Sequence, residues 1–287
     1  MGSRMFSPEP TPAAAAFRDL IKRPDEEIDL AHAALLIAKS INADLDIARY
    51  LIQIEALAAA LAQRLPASTS QADRIVTLNK FLFDEQGFAP NIEDYYDPRN
   101  SFLNEVLERR VGIPISLSIL YIEVGRRVGL PLRGVSFPGH FLVKCKVNEG
   151  VVVLDPYCRG ASLSVDDLQR RLREVRGGEV SRAIIAGMLV AANKKEILAR
   201  MLRNLKAIYV ERGEDNTALS VMEWIIALAP ADASEVRDRG YLYARLECPR
   251  AAVEDLERYL ELAPEAEDAQ EVRARVIDLR QAAGRLN

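Results

Sequence analysis

Apolar residues recur at three- and four-residue steps along the first third of the chain: Leu30, Ala33, Ala34, Ile37 and Ile41, then Ala48, Leu51, Ile52, Ala58 and Leu61, with Glu55 the polar member of that stripe. This period predicts helices from Phe17 to about Glu85. Asp25 followed by Ile28 and Asp29 reads as a capped helix start. Ile75, Leu78, Leu82 and Phe83 mark a further helix, which Gly87 ends. Phe102, Leu103, Val106 and Leu107 make a short one, and Ile115 to Val128 a longer one. Pro114 suits the first turn of that helix, where a missing N–H costs nothing, and Gly129-Leu130-Pro131 stops it.

The period then changes from 3.6 to 2. Leu132–Phe137, Phe141–Val147 and Val151–Leu154 read as short strands, with Asn148-Glu149-Gly150 as a hairpin connection. Ser164 and Asp167 form a capping pair. Met188–Ala192 reads as a further strand, and Asn193 with Glu196 caps a helix from Lys194 to about Arg212. The Pro-rich stretch 5–15 lacks the apolar content to offset the entropy of ordering, so residues 1–16 are expected to be a disordered tail.

The C-terminal third contains a repeat. Ala229-Pro230 recurs as Ala263-Pro264, and at the same 34-residue offset Tyr209 meets Tyr243, Ala218 meets Ala252, Met222 meets Leu256 and Leu228 meets Leu262. A 34-residue helix–turn–helix period with small residues between helices resembles tetratricopeptide repeats. About two units are visible, and such repeats need a neighbour or further units to be stable.

Composition narrows the function classes. The 287 residues are 49% hydrophobic and 28% charged, with a net charge of −4. That balance argues against a general nucleic-acid binder, and the arginines at 170, 171, 173 and 176 alternate with acids as a solvated helix face would. Two histidines, His32 and His140, far apart, exclude a multi-histidine metal site. His32, in an alanine-rich helix, reads as a packing residue. Three cysteines without a CxxC fit a reducing compartment, and the N-terminus lacks the pattern of a secretory signal, so a cytoplasmic protein is expected. The longest apolar run, Ala183–Ala192, is too short to span a bilayer. No cofactor is expected.

The chemistry concentrates in the middle of the chain. A Gly112-Ile-Pro114 break opens a helix, Gly139-His140 opens a strand and Asp155-Pro156 closes the next. Adjacent strands can set an aspartate beside a histidine, where the carboxylate fixes the imidazole tautomer. This order is that of papain-like transglutaminase folds. Asp97-Pro-Arg-Asn-Ser-Phe-Leu-Asn104, Gly112-Ile-Pro-Ile-Ser-Leu-Ser-Ile-Leu-Tyr121, Phe137-Pro-Gly-His-Phe-Leu-Val143 and Lys195-Glu-Ile-Leu-Ala-Arg-Met-Leu-Arg-Asn-Leu-Lys206 resemble the bacterial SirB1 family, over roughly residues 28 to 280. A related segment occurs in an animal F-box ubiquitin-ligase subunit.

The resemblance implies an α+β, mostly helical fold: a helical region and transglutaminase-like core with a small antiparallel sheet over 17–190, then tetratricopeptide-like helices over 191–287. Active transglutaminases carry a cysteine just before the helix. Here the ungapped match is Pro114, and the nearest hydroxyl is Ser116, with Ser118 behind it. Cys145 and Cys158 lie elsewhere, Cys158 being a remote candidate for a displaced nucleophile. The expected remnant triad is Ser116, His140 and Asp155, and the loop residues Arg99, Asn100 and Asn104 are candidate ligand contacts, Arg99 offering a bidentate fork to a carboxylate. Two functions compete: a non-catalytic binding or regulatory scaffold with a protein or peptide partner, and a serine-dependent hydrolase or acyltransferase using the triad.

Overall fold

In the computed structural model, which describes residues 11–148, 150–177 and 180–285, most helices begin where the chain supplies a cap. Two compact units divide between Met201 and Leu202. In the first, α1 (Pro12–Ile21) follows Thr11, whose hydroxyl accepts the Ala14 N–H, and buries Phe17 and Leu20. Residues 12–16 are therefore helical where the sequence reading expects a tail. Pro12 at the first helical position is pre-set for a helix rather than against one. Residues 1–10 of that expected tail lie outside the described residues.

Asp29 caps α2 (Leu30–Ile41), Asp46 caps α3 (Ile47–Ala62) and Ser70 caps α4 (Gln71–Asn79). The last widens into a π-helical stretch over Lys80–Glu85, and Gly87 with φ 73° ends it. Asp25 starts only a short 3-10 turn to Glu27, because its carboxylate is used elsewhere. It accepts the Lys194 and Lys195 backbone N–H groups at the start of α9 (Lys194–Glu211), while Lys194 Nζ donates to the carbonyls of Glu26 and Ile28 at 2.9 and 2.5 Å. This reciprocal clamp ties the first half of α9 into the first unit. The division accordingly falls at 201/202, inside the helix, and not at the 190/191 border read from the sequence.

The site lies among the central elements. A parallel pair, β1 (Ala89–Pro90) with β2 (Val111–Gly112), brackets a loop and α5 (Leu103–Arg109). Every residue of α6 (Pro114–Arg127) from Pro114 to Gly125 is buried. The sheet is an antiparallel meander, β3 (Leu132–Phe137), β4 (His140–Val147), β5 (Gly150–Asp155) and β6 (Ala161–Leu163). Val135 and Phe137, Leu142 and Val153 on one face pack against Leu168 and Leu172 of α7 (Val165–Arg176) and Ile185 of α8 (Arg182–Met188). The expected capping pair of Ser164 and Asp167 opens α7. Met188–Ala192 does not form the strand expected of it: α8 takes Met188, Leu189 caps that helix, and the stretch after it meets the sheet backbone at Ala192, whose N–H donates to Gly134 O at 2.9 Å. Glu149 of the expected hairpin lies outside the described residues; Asn148 beside it has φ 46°, the left-handed geometry such turns require.

The second unit stacks α10 (Asp215–Leu228), α11 (Ala233–Arg245), α12 (Pro249–Leu262) and α13 (Ala269–Arg285) after the end of α9. Val236, Ala252, Leu256, Tyr259, Val272 and Val276 form its core. The arginines keep the 34-residue register, though their acidic partners do not: Arg203 reaches Asp232 and Glu235 at 2.8 Å, and Arg237, 34 residues on, reaches Asp268 at 2.8 Å. Among the described residues no helix is long and apolar enough to cross a membrane.

Candidate functional site

His140 opens β4 and Asp155 closes β5. The β4–β5 register pairs Val143 with Leu154. Carried one step further it sets Asp155 opposite Leu142, so His140 and Asp155 become diagonal neighbours on one face. Their side chains meet: His140 Nε2 lies 2.9 Å from Asp155 Oδ1. Asp155 Oδ1 also accepts the backbone N–H groups of Tyr157 and Cys158, at 3.0 and 3.3 Å, which folds the turn after the strand.

The face that carries this pair is the one α7 covers, and α7 supplies a third member. Arg171 Nη2 lies 2.6 Å from Asp155 Oδ2, a close ion pair that is off line for a hydrogen bond. Asp155 is fully buried. Burial alone would raise its carboxyl, but the hydrogen bond and charge of His140 and the Arg171 guanidinium outweigh it and hold the group at about 2. Arg171 thus departs from the solvated face assigned to it. A signal existed: Leu168, Arg171, Leu172 and Val175 share one helical face by spacing, and Leu168 and Leu172 are buried.

Tyr157 stacks edge-on to His140 at 5.9 Å, Tyr95 edge-on to Tyr157 at 6.4 Å, and Tyr96 edge-on to Tyr95 at 5.3 Å. The turn below is locked from behind. Tyr121 of α6 donates to Asn79 Oδ1 at 2.7 Å, and Asn79 Nδ2 donates to Gly160 O at 2.9 Å. Gly160 has φ 74°, and a Cβ there would stand 2.0 Å from Asn79 Oδ1, so only glycine fits.

Ser116 is not joined to the pair. Its hydroxyl donates to Asn100 O at 2.5 Å and accepts the Ile113 N–H at 3.1 Å, closing the first turn of α6 on the neighbouring loop. Pro114 is the first residue of that helix and is buried. Ser118 Oγ is buried without a partner. Cys145 is buried in β4, and its thiol is pushed up by burial. Cys158 is exposed beside Arg171, with its thiol pushed up by burial and by the Asp155 charge.

The three candidate ligand contacts are occupied or enclosed. Arg99 turns onto Asp97, two residues away, through Nε at 2.9 Å and Nη2 at 2.8 Å, and Arg109 approaches the same carboxylate at 3.4 Å. Burial would raise Asp97, but the bonds from Arg99 and the two guanidinium charges hold it below the usual carboxylate range. Asn100 is fully buried; it donates to Asp94 O and Tyr95 O and accepts from Asn91 Nδ2. These side chains build the loop 91–101 rather than face a ligand. Asn104 is buried, with Nδ2 3.4 Å from Glu105 and Oδ1 unpartnered. Among the described residues no three His, Cys, Asp or Glu side chains converge as a metal site requires.

The sequence model of the transglutaminase-like superfamily matches residues 48–203, and that of the tetratricopeptide repeat matches residues 205–276. A UPF0162 protein of Xylella fastidiosa is 40% identical over 257 residues, which cover 89% of this chain and 91% of that protein. Protein SirB1 of Salmonella typhimurium is 27% identical over 249 residues, covering 86% of this chain and 91% of SirB1. F-box only protein 21 of Mus musculus is 32% identical over 155 residues, 51% of this chain and 23% of that protein.

Proposed function

The chain belongs to the SirB1 family of transglutaminase-like proteins with a tetratricopeptide-repeat unit, and we propose that it uses the surface around His140 to bind a protein or peptide without turning it over. The observation that carries this reading is the commitment of Ser116. A serine nucleophile needs its hydroxyl within reach of a base that can take the proton. The Ser116 proton goes to Asn100 O, and its oxygen already accepts from Ile113.

The other residues near the expected nucleophile position agree. Pro114 has no nucleophilic atom. Cys158 is held away from the thiolate by burial and by Asp155. His140 and Asp155 retain a rigid, polar floor, and Arg171 balances the carboxylate charge. The repeat unit adds a groove of about 290 Å³ lined by Lys206, Val210, Tyr241 and Arg245, a second surface suited to protein contact. A regulatory scaffold is the role that fits both.

The test is labelling of the purified chain. It is incubated with a fluorophosphonate, with iodoacetamide, and with a glutamine peptide plus a fluorescent primary amine. The expected result is no turnover and no label at Ser116, with His140→Ala indistinguishable from the parent. Product or label that disappears in both Ser116→Ala and His140→Ala would establish a serine enzyme instead.

A further inference from the structure

The row of rings that begins at His140 leads outward onto a loop with an unusual surface. Ile92 is 76% exposed, Tyr96 62% and Tyr95 39%. Large apolar side chains on one rigid loop mark a contact surface more often than isolated ones do. The loop is rigid for a stated reason: Asn100, buried beneath it, holds the carbonyls of Asp94 and Tyr95, and Asp97 is fixed by two arginines. Tyrosines pre-set in this way offer contact area at small entropic cost.

Charge decides what the surface fits. Glu93 and Asp94 precede the tyrosines, both exposed; among the described residues neither carboxylate sits in an ion pair, and Asp94 lies within range of the Arg99 charge. The arginines around them are already committed: Arg99 and Arg109 to Asp97, Arg171 to Asp155, and Arg159 to Asp84. Arg200, near Tyr95, also has a partner. Three carboxylates, Glu93, Asp94 and Asp97, stand against the two guanidiniums of Arg99 and Arg109, so the loop carries one net negative charge beside the rings. Ring steps of 5.3 to 6.4 Å from His140 to Tyr96 trace a path no longer than about five extended residues at ~3.3 Å each.

We infer that the loop 91–96 and Tyr157 form a recognition platform for an extended, arginine-containing peptide segment leading to His140. A guanidinium stacks on a tyrosine face and offers paired donors to a carboxylate, and this platform presents both partners side by side. The inference rests on the binding role proposed for the surface around His140 and names its ligand class.

The test uses fluorescein-labelled peptides of alternating arginine and glycine, of lysine and glycine, and of glutamate and glycine, titrated with the full chain and followed by anisotropy. The arginine peptide binds, the lysine peptide binds more weakly, and the glutamate peptide does not bind. Tyr95→Ala with Tyr96→Ala weakens the arginine complex about tenfold. Glu93→Gln with Asp94→Asn weakens it about threefold and flattens its dependence on salt. All four positions are exposed, and circular dichroism checks that each variant stays folded. Equal binding of the glutamate peptide, wild-type affinity in both double variants, or no binding of the arginine peptide overturns the inference. Turnover in the labelling assay bears only on the non-catalytic reading, so the two failures are distinct.

Discussion

Asp155 is buried yet ionised, and its partners explain how. Taking a carboxylate out of water is costly unless charge and hydrogen bonds replace the solvent. Here His140, Arg171 and two backbone N–H groups do so. Its value of about 2 lies below the ordinary 3.8, so the stabilisation is complete above about pH 4 and is lost as pH falls through 2. The difference corresponds to about 2 kcal/mol. Asp155→Asn should lower unfolding stability by about that amount at pH 7, and the gap to the parent should close between pH 4 and 2. Urea unfolding across that range measures it, and a gap that stays constant would mean the carboxylate charge contributes nothing. His140 and Asp155 were legible in the sequence because both sit at strand ends inside distinctive wording. Arg171 was not, because it arrives from another element and its neighbours in sequence, such as Arg170 on Asp167, do form an ordinary solvated face. Arg99 was misassigned for a local reason: Asp97, two residues back, captures its fork.

At the scale of elements, most segments read from periodicity are present to within a residue or two, since burial sets both the pattern and the helix or strand; the strand expected over Met188–Ala192 and the Phe17 start of the first helix are the exceptions. β3 spans the predicted Leu132–Phe137, and α6 starts at Pro114, one residue before the predicted Ile115. The errors fall where a cap or a connection is set by a distant partner. Asp25 has the chemistry of a local N-cap but serves α9, 169 residues on, and no local pattern announces that. The clamp makes a prediction. Lys194 is buried, and its amine is pushed down by burial and by the Arg126 charge, partly offset by the charges of Asp25, Glu123 and Asp29, while it donates to the carbonyls of residues 26 and 28. Lys194→Met keeps much of the apolar stem and removes the donor, leaving two carbonyls unmet, at a cost of about 2 kcal/mol. Protection of the amides in residues 25–32 from hydrogen exchange should fall with it. Unchanged protection there would show that the first half of α9 is held by packing alone. Gly160→Ala is the sharper lesion: positive φ and overlap with Asn79 together should cost about 3 kcal/mol or more, read as a lower thermal midpoint.

For the whole molecule, a transglutaminase-like core is built with proline, not cysteine, as the first residue of α6. The sheet, the helix and the histidine–aspartate pair are all built around an α6 whose first residue is a pyrrolidine ring. A helix N-terminus lowers the pKa of a cysteine placed there, and a neighbouring imidazole lowers it further. The Pro114→Cys variant therefore tests whether the remaining site is still arranged for chemistry. Its thiol should react with iodoacetamide at pH 6 about tenfold faster than Cys158, which burial and Asp155 push up, and faster than Cys248, which stands at the N-cap of α12. Peptide mass spectrometry distinguishes the three sites. Adding His140→Ala should slow reaction at position 114 and leave the other two unchanged. A fast thiol that depends on His140 would mean that proline at this one position separates a binding surface from an active site. A slow thiol would mean that the α6 turn, drawn onto Asn100 by Ser116, has moved out of reach of the histidine, and that the departure from catalysis extends beyond a single residue.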